Sequence, residues 1–183
     1  GDPSLAERVQ AAISRPYFRV YTHDDLVDVE LARTTKNIIT IAAGMLDGLG
    51  AGDNAKAALI TRGLVEITRL GVAMGARSAT FAGLAGLGDL VTTCISPVGR
   101  YRSFGEAVGR GQRASAVLER MAPAVVEGVA TTASVVELAR RCGVEMPITQ
   151  AVHRVLFEGV RPGDAIAELM NRPLKAEVGE PEA

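Results

Sequence analysis

Apolar residues recur at Val27, Leu31, Ile38, Ile41 and Met45, roughly the spacing of a helix face turned toward a core. The pattern predicts a long helix that opens after Thr22-His23-Asp24-Asp25, whose side chains supply caps and negative charge at its start. It closes near Asp47-Gly48-Leu49-Gly50-Ala51-Gly52-Asp53, where the glycines permit left-handed residues. A second helix is predicted from about Asn54 to Val72, with Ile60, Leu64, Ile67 and Gly71 on one face and Leu59, Gly63 and Leu70 on another. Apolar around most of its girth, it is expected to be the central helix, with Gly63 admitting a close neighbour.

Upstream, Leu5, Val9 and Ile13 follow the capping run Asp2-Pro3-Ser4 at four-residue intervals and predict a short amphipathic helix that Pro16 stops. Tyr17-Phe18-Arg19-Val20-Tyr21 has the aromatic and β-branched content of a strand. A single strand cannot make a sheet, so this helix and strand are read as the last pieces of another domain or as an arm that pairs elsewhere. Downstream, shorter helices are expected over about 104–108, 114–120, 128–142, 148–158 and 164–171, punctuated by Gly143, Pro147, Gly159, Pro162-Gly163 and Pro173. The fold class is all-α, with residues 1–23 set apart from a helical domain over 24–174 and a polar, unpatterned tail over 175–183.

Composition narrows the function. At 183 residues the chain can bury one sizeable core, and its net charge of −1 gives no reason to expect nucleic acid or an anionic membrane as partner. Aromatics make up 4% and tryptophan is absent, which suits close-packed helices better than a sheet sandwich. Cys94 and Cys142 form no CxxC pair, so neither a zinc site nor a disulfide framework is indicated, and a cytoplasmic location fits best.

Candidate chemistry gathers around three stretches. Lys36 and Asn37 lie side by side off the apolar stripe, with small neighbours at Ala32, Thr40 and Ala43, so a substrate or another segment can approach closely. A lysine there serves either as a proton donor or acceptor or as a stem that covers apolar surface while its ammonium reaches water. Asp89 is the one charge in the glycine-rich run Phe81–Cys94, either a helix cap or a carboxylate with a partner, for which Lys36 is suited. Arg100 and Arg102, in a loop expected to lead into a helix at Phe104, either bridge an anion or are solvated. Gly50-Ala51-Gly52-Asp53-Asn54-Ala55 matches a loose dinucleotide fingerprint, but it follows a predicted helix where that motif must follow a strand. His153 lacks a second ligand at suitable spacing and is read as structural.

Three runs carry a resemblance: Lys36-Asn37; Asp47-Gly48-Leu49-Gly50 through Gly52-Asp53-Asn54-Ala55-Lys56 to Gly63; and Gly83-Leu84-Ala85-Gly86-Leu87-Gly88-Asp89-Leu90. Together they closely resemble the C-terminal half of the bacterial NAD(P)-dependent sn-glycerol-3-phosphate dehydrogenases. The resemblance implies an all-α substrate domain, like the C-terminal domain of 6-phosphogluconate dehydrogenase, preceded by a helix-strand remnant of a Rossmann domain. It further implies interconversion of dihydroxyacetone phosphate and glycerol 3-phosphate with NAD or NADP, feeding glycerophospholipid synthesis. The cofactor would be held mainly by a Rossmann domain N-terminal to this chain, so the chain alone is expected to be inactive; a homodimer is the assembly it allows.

By the same resemblance Lys36 is the proton donor or acceptor. Asn37, Asp89, Thr93, Gly99, Arg100 and Tyr101 line the substrate site, and Arg100 and Glu127 contact the cofactor. The family usually has serine and asparagine where Gly99 and Tyr101 stand, and a Gly-Ala-Leu run in place of Arg33-Thr34-Thr35. These departures leave two alternatives open: a divergent member reducing another small phosphorylated or acidic carbonyl compound, or a helical binding or oligomerisation module without chemistry.

Overall fold

A computed structural model describes residues 2–174, apart from the side chains of Leu26, Val27, Asp28 and Val126; the expected tail over 175–183 lies outside the described residues. The elements in order are α1 (Pro3–Ile13), α2 (Leu26–Leu49), α3 (Asp53–Ala73), α4 (Ser78–Phe81), a π turn (Leu84–Gly88), α5 (Asp89–Ile95), α6 (Arg100–Gly109), α7 (Ala114–Met121), α8 (Val126–Arg141), α9 (Pro147–Phe157) and α10 (Pro162–Met170). The all-α class is as expected. The strand over Tyr17–Tyr21 is not formed: among the described residues there is no strand, only a bridge in which Arg15 and Phe18 exchange backbone bonds of 2.7 and 3.0 Å around Pro16. Strand propensity needs a neighbouring strand to pair with, and the described chain offers helices alone. Gln10 Nε2 instead donates to Val20 O at 2.8 Å, which ties the arm back onto α1.

The central helix is α2, not α3. Residues 38–46 of α2 are buried without interruption, whereas α3 buries Ile60, Gly63, Glu66, Ile67, Leu70 and Gly71 and leaves Ala58, Thr61, Val65 and Val72 in solvent. Ile38, Ile39 and Ile41 are fully buried, each contributing about 1.5–3 kcal/mol of transfer free energy. Thr35 and Thr40 are buried too, and each hydroxyl is satisfied by the carbonyl one turn back, Leu31 O at 2.6 Å and Lys36 O at 2.9 Å. The threonine at position 35 therefore enters the core without an orphaned polar atom.

Two glycine pairs set the packing that matters for the site. Gly44 and Gly48 on α2 face α6, and Gly105 and Gly109 on α6 face α2. A methyl at Gly44 would stand 2.8 Å from Glu106 N, one at Gly48 2.8 Å from Arg110 N, one at Gly105 2.9 Å from Ile41 C, and one at Gly109 2.9 Å from Met45 Cα. The two backbones touch because none of the four carries a Cβ. Contact positions rise together along both helices, so α6 runs parallel to α2, and its first residue, Arg100, falls level with the turn from Lys36 to Thr40.

Other details of the punctuation hold local interest. Gly50 and Gly52 adopt φ of 69° and 83°, and the run resembling a dinucleotide fingerprint is the turn between α2 and α3. The apolar stretch Ser78–Ile95 is divided among α4, the π turn and α5 instead of forming one helix. Helix α6 begins at Arg100, four residues earlier than its sequence pattern suggests, because Gly99 ends the preceding loop in extended backbone and Ser103 N reaches Gly99 O at 2.8 Å.

Candidate active site

Lys36 and Asp89 meet. Lys36 Nζ pairs with Asp89 Oδ2 across 53 residues of sequence, with side-chain exposures of 16% and 39%. The pair is thus screened on the lysine side and open to solvent on the carboxylate side, where a small ligand can reach it. Asp89 opens α5, and Thr93, one turn on, donates to Asp89 O at 2.5 Å and lies 3.4 Å from Asp89 Oδ1. Gly86 makes this approach feasible: a methyl there would stand 2.6 Å from the Phe81 backbone, so the π turn folds tightly enough to aim Asp89 back at α2. Asn37 is half-buried beside Lys36, and its carboxamide has no hydrogen-bond partner among the described residues.

Arg100 stands exposed at the first position of α6, whose cap, Gly99, supplies no side-chain bond to the first-turn amides. Those amides and the arginine form a positive terminus level with Lys36. Tyr101 turns the other way. Its side chain is buried, and its ring lies against Gly128, where a methyl would stand 2.7 Å from Cζ. Arg100 Cζ sits over that same ring, 5.2 Å from its centroid, a stacking that supports the guanidinium from below. Glu127 is exposed in the first turn of α8, next in sequence to Gly128.

Arg102 does not join Arg100. Its Nε stands 2.6 Å from Asp47 Oδ2 and its Nη1 3.6 Å from Glu106 Oε2, inside a charged cluster between helices. His153 accepts its expected structural role, with Nδ1 3.2 Å from Glu158 Oε1 and its ring 4.9 Å from that of Phe157. Glu66 went unnoticed in the sequence. It is a buried carboxylate on α3 that accepts from Ile148 N at 2.6 Å and from Thr149 N and Oγ1, both at 3.2 Å, and so caps α9 from another helix. Its one sequence signal is a lone acid on the apolar face with Gly63, Ile67 and Leu70.

An all-α domain that presents a lysine clamped by a carboxylate beside an arginine-headed helix terminus can hold a small anionic molecule and exchange a proton with it. The profile of the family described as NAD-dependent glycerol-3-phosphate dehydrogenase C-terminus matches residues 25–167. Similar relatives include glycerol-3-phosphate dehydrogenase [NAD(P)+] 2 of Salinibacter ruber, 55% identical over 172 residues that make up 94% of this chain and 50% of the relative. Another is glycerol-3-phosphate dehydrogenase [NAD(P)+] of Geobacter sulfurreducens, 54% identical over 177 residues, 97% of this chain and 52% of that one. Among solved structures, the glycerol-3-phosphate dehydrogenase of Coxiella burnetii superposes with a TM-score of 0.86 at 42% identity, covering 94% of this chain and 53% of that one. The chain belongs to this family as its C-terminal domain, and it spans about half the length of the relatives it matches.

Proposed function

We propose that the intact protein interconverts dihydroxyacetone phosphate and sn-glycerol 3-phosphate with NAD or NADP, in the cytoplasm, and that this chain is its substrate-binding half. The observation that carries the reading is the Lys36–Asp89 ion pair set level with the N-terminus of α6. In the reductive direction the nicotinamide supplies hydride to the carbonyl carbon. Lys36 gives its proton to the carbonyl oxygen, which would otherwise carry the developing negative charge. Asp89, braced by the Thr93 hydroxyl, holds the ammonium in place, and Asn37 adds a carboxamide donor beside it. The phosphate lies on Arg100 and on the first-turn amides of α6, which Gly99 leaves uncovered; Tyr101 contributes its backbone amide and, through its ring, the support of Arg100. Arg100 and Glu127 face the cofactor, which a dinucleotide-binding domain N-terminal to this chain would hold.

Residues 2–23 then serve as the connection to that domain, and 24–174 as the helical unit. The chain by itself would not turn over substrate. Lys36→Met in the intact protein tests the assignment, because methionine matches the stem in volume while removing the ammonium. The expected fall in kcat is about 10²–10⁴-fold, the usual worth of a positioned acid or base. Near-normal kcat would reduce Lys36 to a surface-covering residue and overturn the reading.

A further inference from the structure

The run Asp47–Lys56, which carries part of the family resemblance, has no place in the chemistry just described. The structure puts it at the junction of three helices. Asp47, near the end of α2, pairs through Oδ1 with Lys56 on α3 and through Oδ2 with Arg102 on α6 at 2.6 Å. All three side chains are at most 17% exposed. Asp47 Oδ2 and Arg102 Nε are buried facing each other and make no other polar contact among the described residues, so at these two atoms each group is compensated by the other, while Lys56 and Glu106 engage their remaining atoms.

Arg102 belongs to the first turn of α6, the turn that begins with Arg100. Glycine contact brings α6 against α2 without specifying how the first turn is held, since the four glycines offer no side chain to grip. The charged contact supplies that grip. We propose that Asp47 is a positioning residue: by holding Arg102 it fixes the first turn of α6, and with it the phosphate-facing Arg100, level with Lys36. This inference rests on the function proposed above.

The test uses the intact protein and compares dihydroxyacetone phosphate with unphosphorylated dihydroxyacetone. Asp47→Asn is expected to raise KM for the phosphorylated substrate about tenfold, with kcat within about twofold and kcat/KM for the unphosphorylated one within about twofold. In an Arg100→Ala background the same change should alter KM by less than about twofold, because the group being positioned is already gone. Arg102→Gln probes the pair from the other helix if Asp47→Asn does not fold, and Arg102→Lys should recover most of the loss. Equal losses on both substrates, an undiminished effect in the Arg100→Ala background, or failure of both Asp47→Asn and Arg102→Gln to fold would overturn the inference and assign the cluster to stability. A wild-type protein that does not reduce dihydroxyacetone phosphate would instead overturn the proposed function, and this inference with it.

Discussion

Gly44→Ala gives the sharpest test of the helix packing. The added methyl would lie 2.8 Å from Glu106 N and 2.9 Å from Arg102 C, with Arg102 O closer still. All three are backbone atoms of α6, so no side chain can rotate away, and relief requires moving the helix. Overpacking of this kind costs about 1–3 kcal/mol, and a rigid backbone neighbour places it at the upper end. Alanine recovers about 1 kcal/mol over glycine in a helix interior, leaving a net loss of about 2 kcal/mol. Gly63→Ala is the internal control. Its nearest contacts would be Ile39 Cγ2, Cδ1 and Cγ1 at 2.8–3.0 Å, side-chain atoms of a buried β-branched residue that can yield only in part. Here the propensity gain should offset part of the crowding, leaving a smaller loss than at Gly44, where the neighbour is backbone. Urea denaturation of the two variants and the wild type, with m-values held equal, measures both. A Gly44→Ala variant as stable as Gly63→Ala would refute the backbone contact between α2 and α6.

Three more outcomes are expected. Burial pushes the Glu66 carboxyl up from 4.5 to about 7, so the folded state holds a proton that the unfolded state has released between those values; stability should fall as pH rises through that window, by at most about 3 kcal/mol. Glu66→Gln should flatten the fall, and denaturation curves that remain parallel to wild type from pH 5 to 7 would exclude Glu66 as the cause. Burial likewise raises the Cys94 thiol to about 11, so a thiol reagent near neutral pH should modify half-buried Cys142 well before Cys94, read by mass spectrometry of the native protein. Tyr101→Asn should destabilise by about 3 kcal/mol, since it vacates the space against Gly128, and thermal melts of the variant would show no shift only if the ring were not packed there.

Much of this architecture was legible because periodicity reports burial directly. Leu31, Ile38, Ile41 and Met45 are all buried as their spacing implies, and the helices from Ala114 onward start and end within two residues of their expected bounds. The partnership of Lys36 with Asp89 was legible as one of two readings, since a lone carboxylate among leucines and glycines either caps a helix or takes a cation. Three features were not. The strand content of Tyr17–Tyr21 described the residues correctly but not their neighbours, and a strand is a property of pairs. The burial of the Tyr101 ring was not legible, because the small residue at 128 that makes room for it lies far away in sequence. Arg102 was grouped with Arg100 because the two are adjacent in sequence. On a helix, residues two apart face opposite ways, and the acid that claims Arg102 lies on another helix.

The glycine contact also bears on how the protein is made. Lys36 and Asp89 are separated by 53 residues, and the α6 residues that cover α2 come later still. At synthesis rates of roughly 5–20 residues per second, the apolar flank of α2 would leave the ribosome roughly 3–13 seconds before its covering helix exists. During that interval Ile41 and Met45 have no native cover from α6. A nascent chain halted before α6 is therefore the form of this protein most open to chaperone capture and to aggregation, and one extended past Gly109 should escape both.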